Sequence, residues 1–465
     1  MFKIGGQKLT SHTVLLVFFD VSLVVAGILL AVGLRFPRWH EFAGYLRHPV
    51  TVYRLTWVVL ACELALYYHD LYNPQAVRRH SELLARLLLA LGTACLGLAI
   101  LYYAYPNQSL GRGVAALSAL IVVLLLLGWR LVMDEAGFLQ LDPQRVLVLG
   151  TGPASVSIVR EIVSRPELRL KVVGFLDEKG ENIGKSLVNP GIIGAVADVQ
   201  EIAANRMVDR VILSLSERRG NMPLRQLLDL KFAGIVVEDA PTVWEEISGR
   251  IPVEHLAPSW LILSGGFRKS KVLLAMKRVL DILVSLVGLI ITSPIMLLCA
   301  AAIWLETGSP ILFRQERTGM AGRSFQMLKF RSMYQNAEKH GPCWAANDDD
   351  RITRVGRIIR KFRFDELPQF FNVLRGEMSL VGPRPERPVF CEMLEQEIPL
   401  FPQRHSVRPG ITGWAQIKYQ YGASVEEAKT KLEYDLFYLK HMSILVDLAI
   451  IFETVKVLVT GRGAK

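Results

Sequence analysis

Residues 279–305, VLDILVSLVGLIITSPIMLLCAAAIWL, decide how this chain is laid out: they are long and apolar enough to cross a bilayer, yet carry Ser293-Pro294 at their middle. A proline inside a helix removes a backbone donor and presses its ring on the preceding turn, so a bend is expected there. Both flanks are basic, with Arg268, Lys269, Lys271, Lys277 and Arg278 before the run and Arg314, Arg317, Arg323, Lys329 and Arg331 after it. Lys and Arg beside apolar segments collect on the cytoplasmic side. The reading is a re-entrant helix over about 276–305 that enters and leaves by one face. Its competitor is a proline-kinked fifth span.

Upstream, four apolar runs at about 12–34, 50–69, 83–105 and 113–133 each approach the roughly 20 residues of a spanning helix. They predict an N-terminal four-helix transmembrane bundle over 1–140. Lys3, Lys8, Arg78, Arg79, Arg86, Arg130 and Arg145 outnumber Arg35, Arg38, Arg47 and Arg112 on the opposite side, which puts both ends of the bundle in the cytoplasm. Asp20 and Glu63 fall within these runs, where helix pairing explains them as well as function does, and Asp70 sits at an interface. No cleavable signal is expected, since the first run is too long for one.

Composition narrows the partners. The 465 residues are 51% hydrophobic with a formal charge of +11, which suits nucleic acid, anionic lipid or a phosphorylated substrate. Apolar runs beside basic clusters favour the last two, and no nucleic-acid partner is expected. The five cysteines, Cys62, Cys95, Cys299, Cys343 and Cys391, show no metal or redox spacing and read as free thiols.

From Arg145 the pattern becomes strand, Gly-rich turn and helix, RVLVLGTGPASVSIVREIV, followed by LKVVGFLDE, VDRVILSLS and FAGIVVEDA as buried strands. A Rossmann-like parallel α/β domain over 143–260 is expected. Its fingerprint is altered: Gly150 and Gly152 are present, but Ser155 stands where a third glycine belongs. A nucleotide with Asp177 on its ribose competes with a ligand-free scaffold. No Tyr-x-x-x-Lys pair occurs in the chain, which counts against a short-chain dehydrogenase or epimerase.

Chemistry gathers in 351–388, RITRVGRIIRKFRFDELPQFFNVLRGEMSLVGPRPERP. Asp365 and Glu366 are adjacent carboxylates. They are approached by Arg351, Arg354, Arg357, Arg360, Lys361 and Arg363 on one side and Arg375, Arg384 and Arg387 on the other. Asp365 is expected as the N-cap of one short helix ending at Gly376. There a phosphate held by arginines and a divalent cation would meet a nucleophilic carboxylate; ordinary capping is the competing account. The run Arg354 to Arg363 has the spacing of an amphipathic basic helix that can lie on anionic lipid, with direct substrate contact and a plain solvated face as the competing readings. Met442 to Val459 reads as an interfacial helix, and Trp414 as a headgroup or core residue.

Taken with KRVLDILVSLVGLIITSP, FRQERTGMAGRSFQMLKFRSM and RPGITGWAQIKY, this stretch closely resembles the bacterial sugar transferases, the monotopic phosphoglycosyl transferases, over about 270–465. The N-terminal half resembles the large undecaprenyl-phosphate glucose or galactose phosphotransferase type, and the opening MFKIGGQ its exopolysaccharide-associated subset. The resemblance implies a membrane α/β protein with a C-terminal monotopic catalytic domain at the cytoplasmic face of the inner membrane. It implies transfer of a hexose 1-phosphate from a UDP-sugar to undecaprenyl phosphate, releasing UMP through a covalent aspartyl phospho-sugar. Asp365 maps to the nucleophile, and Glu366 to its acid/base or magnesium-binding partner, with Mg2+ expected on the pair. Pro383, Arg384 and Pro385, with Arg363, Arg387 and Arg408, are carried over as substrate-binding residues, and Ser293-Pro294 as the re-entrant break.

Two rivals stand beside this reading: an NAD-dependent nucleotide-sugar dehydratase or epimerase in the membrane, and a non-enzymatic glycan-assembly scaffold. The N-terminal half is expected to support assembly, a homodimer being one form.

Overall fold

Placement is described for residues 3–4, 7–8, 11–69, 71–72, 80–105, 111–135, 143–215, 222–253, 264–334, 351–419 and 424–460 of the computed structural model. Asp70, Arg78, Arg79 and Cys343 lie outside the described residues.

Helices Ser11–Arg35, Pro49–Tyr68, His80–Ala104 and Arg112–Glu135 each contain a window of 19 to 21 residues apolar enough to cross a bilayer. They pack around fully buried Val24, Ile28, Leu66, Leu87 and Leu126. Phe18, Leu34, Leu89 and Leu96 face outward, as suits a helix surrounded by hydrocarbon. Hydropathy gave no sign of the short amphipathic helix Trp39–Arg47 between the first two.

A buried charge pair crosses this packing. Arg130 Nη2 lies 2.5 Å from Asp20 Oδ2, and its Nη1 donates to the Leu71 carbonyl at 2.8 Å. Tyr72, whose ring lies under the same guanidinium, donates its hydroxyl to Glu63 Oε2 at 2.7 Å. Asp20 is therefore engaged in helix pairing, while Glu63 holds the segment that follows its own helix. Arg130, counted above as a flank charge, is an interior partner.

The middle region is a five-stranded parallel sheet in the spatial order Ile192–Ala195, Leu170–Asp177, Gln144–Leu149, Arg210–Leu213, Val236–Asp239. The Ile192–Ala195 strand, four residues containing a glycine, was not evident as a run of its own. Gly150 has φ +108°, and a Cβ there would come within 2.3 Å of the Ser214 carbonyl oxygen, so only glycine fits. Ser155, fully buried, is small enough to pack its hydroxyl 3.5 Å from that same oxygen. Asp177 accepts from Thr151 Oγ1, Glu181 N and Asn182 Nδ2. Its carboxylate thus closes its own loop.

In the C-terminal region, helix Lys271–Thr307 runs 37 residues and stays helical through Pro294. Helicity thus continues across Ser293-Pro294, and the proline lies inside one helix. The physical reason is local: Pro294 cannot donate to the Ile290 carbonyl four residues back, and the Ser293 hydroxyl donates to it instead at 2.9 Å. Near its start, Lys277 Nζ donates to the Val381 carbonyl at 2.9 Å and to Asp447 Oδ2 at 2.7 Å. Asp281 Oδ1 accepts from Ser379 Oγ and Leu380 N, both at 3.0 Å. At its far end, Glu306 accepts from Arg354 N and Val355 N, and Arg331 donates to Thr307 and Gly308.

Behind it stand an antiparallel hairpin, Leu312–Thr318 with Ser324–Phe330, and a parallel pair, Ser379–Val381 with Gly410–Thr412. Helices Val425–His441 and Ile444–Thr460 close the core around Phe401, Leu432, Phe437 and Ile450. The polar residues of the last helix face protein: Asp447 meets Lys277, while Glu453 accepts from Tyr67 Oη at 2.7 Å and Lys456 donates to the Tyr67 carbonyl at 3.2 Å. Trp414 is a core residue, stacked on Phe437 and donating to the Gly249 carbonyl at 2.8 Å. This joins the middle region to the C-terminal one, as do Glu245, paired with Lys440 and His441, and Ile251, whose N–H donates to the Glu433 carbonyl.

Removing one member of a buried ion pair strands the other. Arg130→Met is expected to cost about 3–5 kcal/mol, and adding Asp20→Leu to recover most of it. Unfolding of the purified protein in denaturing detergent would read both; equal stability of wild type and Arg130→Met would sink the account.

Candidate active site

The site is entered from helix Arg354–Lys361, whose first turn is capped by Thr353, accepting from Gly356 N at 2.8 Å, and by Glu306. Arg354, Arg357, Ile358, Lys361 and Phe362 are exposed, while Gly356 and Ile359 are buried. The chain then reverses at Arg363, whose φ of 55° lies in the left-handed region. Such a conformation costs a residue with a side chain about 1–3 kcal/mol, sustained by the surrounding structure. Asp365 follows inside a 3-10 turn, Phe364–Glu366, and helix Gln369–Arg375 begins only after Pro368, ending at Gly376 with φ +84°. Asp365 is thus not the N-cap expected of it, because the tight turn out of Arg363 already draws the acids into helical geometry.

The two carboxylates have opposite surroundings. Glu366 Oε1 accepts from Lys329 Nζ at 3.3 Å and from Arg384 Nη2 at 3.1 Å, with Arg363 Nη1 3.9 Å from Oε2. Burial alone would raise its pKa, but Lys329, Arg384 and Arg363 outweigh burial and hold it at about 2. Asp365, 9% exposed, makes no hydrogen bond or ion pair among the described residues. Burial and then the Glu366 charge push it above the usual carboxylate range, against the pull of Lys329, Arg360 and Arg384. The arrangement offers one locked anion and one carboxylate whose oxygens are available.

Arg384 is delivered by a loop with little freedom. Its two prolines carry no N–H, so the loop is fixed through its carbonyls. Val381 O accepts from Lys277 and Tyr438, Pro383 O from Gly410 N, Arg384 O from Arg404 Nη2, Pro385 O from Arg317 Nη1, and Glu386 O from Thr318 N.

Asp365, Glu366, Arg363, Arg384 and the Pro383–Pro385 backbone are therefore brought together. Arg387 lies half-buried at the start of helix Pro388–Glu397. Arg408 Nε donates to the Gly376 carbonyl at 2.9 Å, so this contact holds the end of the helix behind the acids. One member escaped sequence reasoning: Lys329 was counted only as a membrane-flanking charge, whereas Arg360, whose charge bears on Asp365, was already among the cations expected to approach the acids. The signal for Lys329 was its place in the alternating strand Ser324–Phe330, which turns it inward from an otherwise apolar face.

Because Glu366 has a folded pKa below its ordinary 4.5, its ion pairs add stability above that pH and lose it as pH falls toward about 2. The difference in thermal stability between wild type and Glu366→Gln should be widest above pH 4.5 and close on acidification toward about 2. A gap that is constant across this range would count against the assignment.

Comparison with known proteins places these residues in a family. The profile described as bacterial sugar transferase matches residues 272–461, and one described as CoA-binding domain matches 68–229. A UDP-N-acetylgalactosamine-undecaprenyl-phosphate N-acetylgalactosaminephosphotransferase of Aeromonas hydrophila is 43% identical over 52% of this chain, the match spanning 56% of that relative. An undecaprenyl-phosphate glucose phosphotransferase of Komagataeibacter xylinus is 33% identical over 69% of this chain, with 60% of the relative spanned. A UDP-glucose:undecaprenyl-phosphate glucose-1-phosphate transferase of Xanthomonas campestris pv. campestris is 31% identical over 94% of this chain and 91% of its own length. The membrane helices, the α/β middle region and the acid pair with its proline loop thus occur in a chain that belongs to the bacterial sugar transferase family.

Proposed function

We propose that this protein transfers a hexose 1-phosphate from a UDP-sugar to undecaprenyl phosphate, giving undecaprenyl-diphospho-sugar and UMP, with Asp365 as nucleophile. The observation that carries the reading is the division of the acid pair: Glu366 is matched by three cations, while Asp365 is buried beside it with no hydrogen bond or ion pair among the described residues. In the first half-reaction an Asp365 oxygen bonds to the β-phosphorus as the bond from that phosphorus to the bridging oxygen breaks, and UMP leaves with that oxygen. In the second, an oxygen of the lipid phosphate bonds to the same phosphorus and the aspartyl bond breaks, restoring the carboxylate. Phosphoryl transfer calls mainly for positioning and charge neutralisation, which Arg384, Arg363 and Lys329 are placed to give.

Among the described residues no three acids, histidines or cysteines form a ready metal site. Glu366 already has its counter-charges, so of the expected pair Asp365 is the fitting ligand for Mg2+, alongside the phosphates the ion accompanies. When bound, the ion would neutralise phosphate charge.

The same reading places both ends of helix Lys271–Thr307 at the cytoplasmic face of the inner membrane. What supports it is that both arms pack on one body: Lys277 and Asp281 against Val381, Ser379 and Asp447, and Glu306 and Thr307 against Arg354 and Arg331. Between them Ile290, Ile291, Leu297 and Leu298 are 68–72% exposed, a tip suited to hydrocarbon. A straight helix of this length would run about 55 Å, well past the apolar core of a bilayer. Exposed Ile358 and Phe362 among Arg354, Arg357 and Lys361 suit the headgroup level of the same face.

The deciding assay is UMP release by detergent-solubilised protein over a panel of UDP-sugars, with and without undecaprenyl phosphate and magnesium. Lipid- and magnesium-dependent release with one donor is expected, lost in Asp365→Asn. Undiminished release by Asp365→Asn would remove it as nucleophile. For topology, Arg268→Cys and Ser309→Cys in a cysteine-free background should both react with an impermeant thiol reagent added to inside-out vesicles. Reaction from opposite faces would establish a fifth span instead.

A further inference from the structure

The carbonyls of the Val381–Glu386 run are held mostly by backbone or by residues whose role is evident in the core, but one contact stands apart. Arg404, 5% exposed, donates from Nη2 to the Arg384 carbonyl at 2.9 Å, while the same nitrogen lies 2.8 Å from Asp435 Oδ2. Asp435, 2% exposed, comes from the middle of helix Val425–His441. Its charge is costly there: burial pushes its carboxyl up to about 6, against the attraction of Arg404. Glu386 adds to that rise and Lys431 opposes it. The Arg404 guanidinium also packs over the Phe401 ring at 4.9 Å; among the described residues neither its Nε nor Asp435 Oδ2 has a hydrogen-bond partner, so the contact between the two residues is an ion pair. A pair so deeply desolvated is poor as a source of stability, and its better-attested use is fixing geometry. What it fixes here is the backbone of the residue whose side chain meets Glu366.

We propose that Arg404 and Asp435 form a positioning pair that sets the Pro383-Arg384-Pro385 loop, so that the Arg384 guanidinium is presented to Glu366 and to the phosphates of the donor. The kinetic part rests on the transferase reading above; the structural part does not. Neither residue touches the reacting atoms, so both act through Arg384. Lysine is a poor replacement for Arg404, because its compact ammonium on a flexible stem lacks the rigid planar group that packs over the Phe401 ring while one of its nitrogens faces the carboxylate and the carbonyl.

The experiment has two arms on the full-length protein in detergent. In the first, hydrogen exchange is followed at the Gly382, Arg384, Glu386 and Arg387 amides. Arg404→Lys is expected to speed exchange there about tenfold while the amides of helix Gln369–Arg375 stay unchanged. Asp435→Asn, which leaves Arg404 in place, should act in the same direction, and serves if Arg404→Lys does not fold. Unchanged loop exchange in the folded variants overturns the proposal. In the second arm, Arg404→Lys should slow UMP release roughly a hundredfold in the wild-type background. In an Arg384→Ala background it should slow release by less than about twofold, since coupled residues are non-additive. Equal penalties in both backgrounds would mean that Arg404 does not act through Arg384. Faster loop exchange in a protein that releases no UMP from any donor would support the positioning pair and defeat the transferase reading instead.

Discussion

Two neighbouring acids in a buried turn cannot share one environment, because each disfavours the charge of the other. The fold answers by giving nearly all the nearby positive charge to one of them. Lys329 arrives from the antiparallel hairpin, Arg363 from the reversal that leads into the turn, and Arg384 from the proline loop, and all three turn toward Glu366. That carboxylate ties three separate segments of chain to one point. The freedom of Asp365 is a by-product of this convergence: it lies beside the knot without being part of it.

The knot has to be carried by something stiff, and buried polar contacts supply the registration. Lys277, Asp447 and Tyr438 meet under Val381, and Asp281 takes the next backbone N–H along the strand. These contacts pin the first arm of the long apolar helix to the strand that launches the proline loop. Glu306 does the same for the second arm, by capping the helix that leads to the acids. Buried ion pairs contribute little net stability beyond what apolar packing would give. Their directionality, however, sets which residue faces which, and an active site needs that more than another kilocalorie.

Much of this was legible in the amino-acid order. The four apolar runs, the strand and Gly-rich turn at Arg145, the acid pair, the helix end at Gly376 and the proline loop all carry local signals. What escaped depended on distance in the sequence. Lys329 and Glu366 are 37 residues apart, and only the hairpin's inward-facing alternation hinted that this lysine was not a surface charge. Arg130 looked like a flanking residue because its partner Asp20 lies 110 positions away. The N-cap assignment of Asp365 failed for a different reason, since the left-handed turn at Arg363 is a conformation that a bulky charged residue adopts only under tertiary constraint. Asp447 and Lys456 read as interfacial charges because hydropathy cannot tell headgroups from buried partners.

Helix Val425–His441 serves as a wall common to two rooms. On one side the middle region docks against it through Glu245 and Ile251, and on the other it supports the transferase core through Leu432, Leu436 and Tyr438. A chain that exchanged its middle domain with a relative by recombination would therefore inherit a mismatched seam, unless the segment through Ile251 travelled together with Trp414, Glu433, Lys440 and His441. The natural unit of shuffling in this architecture is consequently larger than a domain.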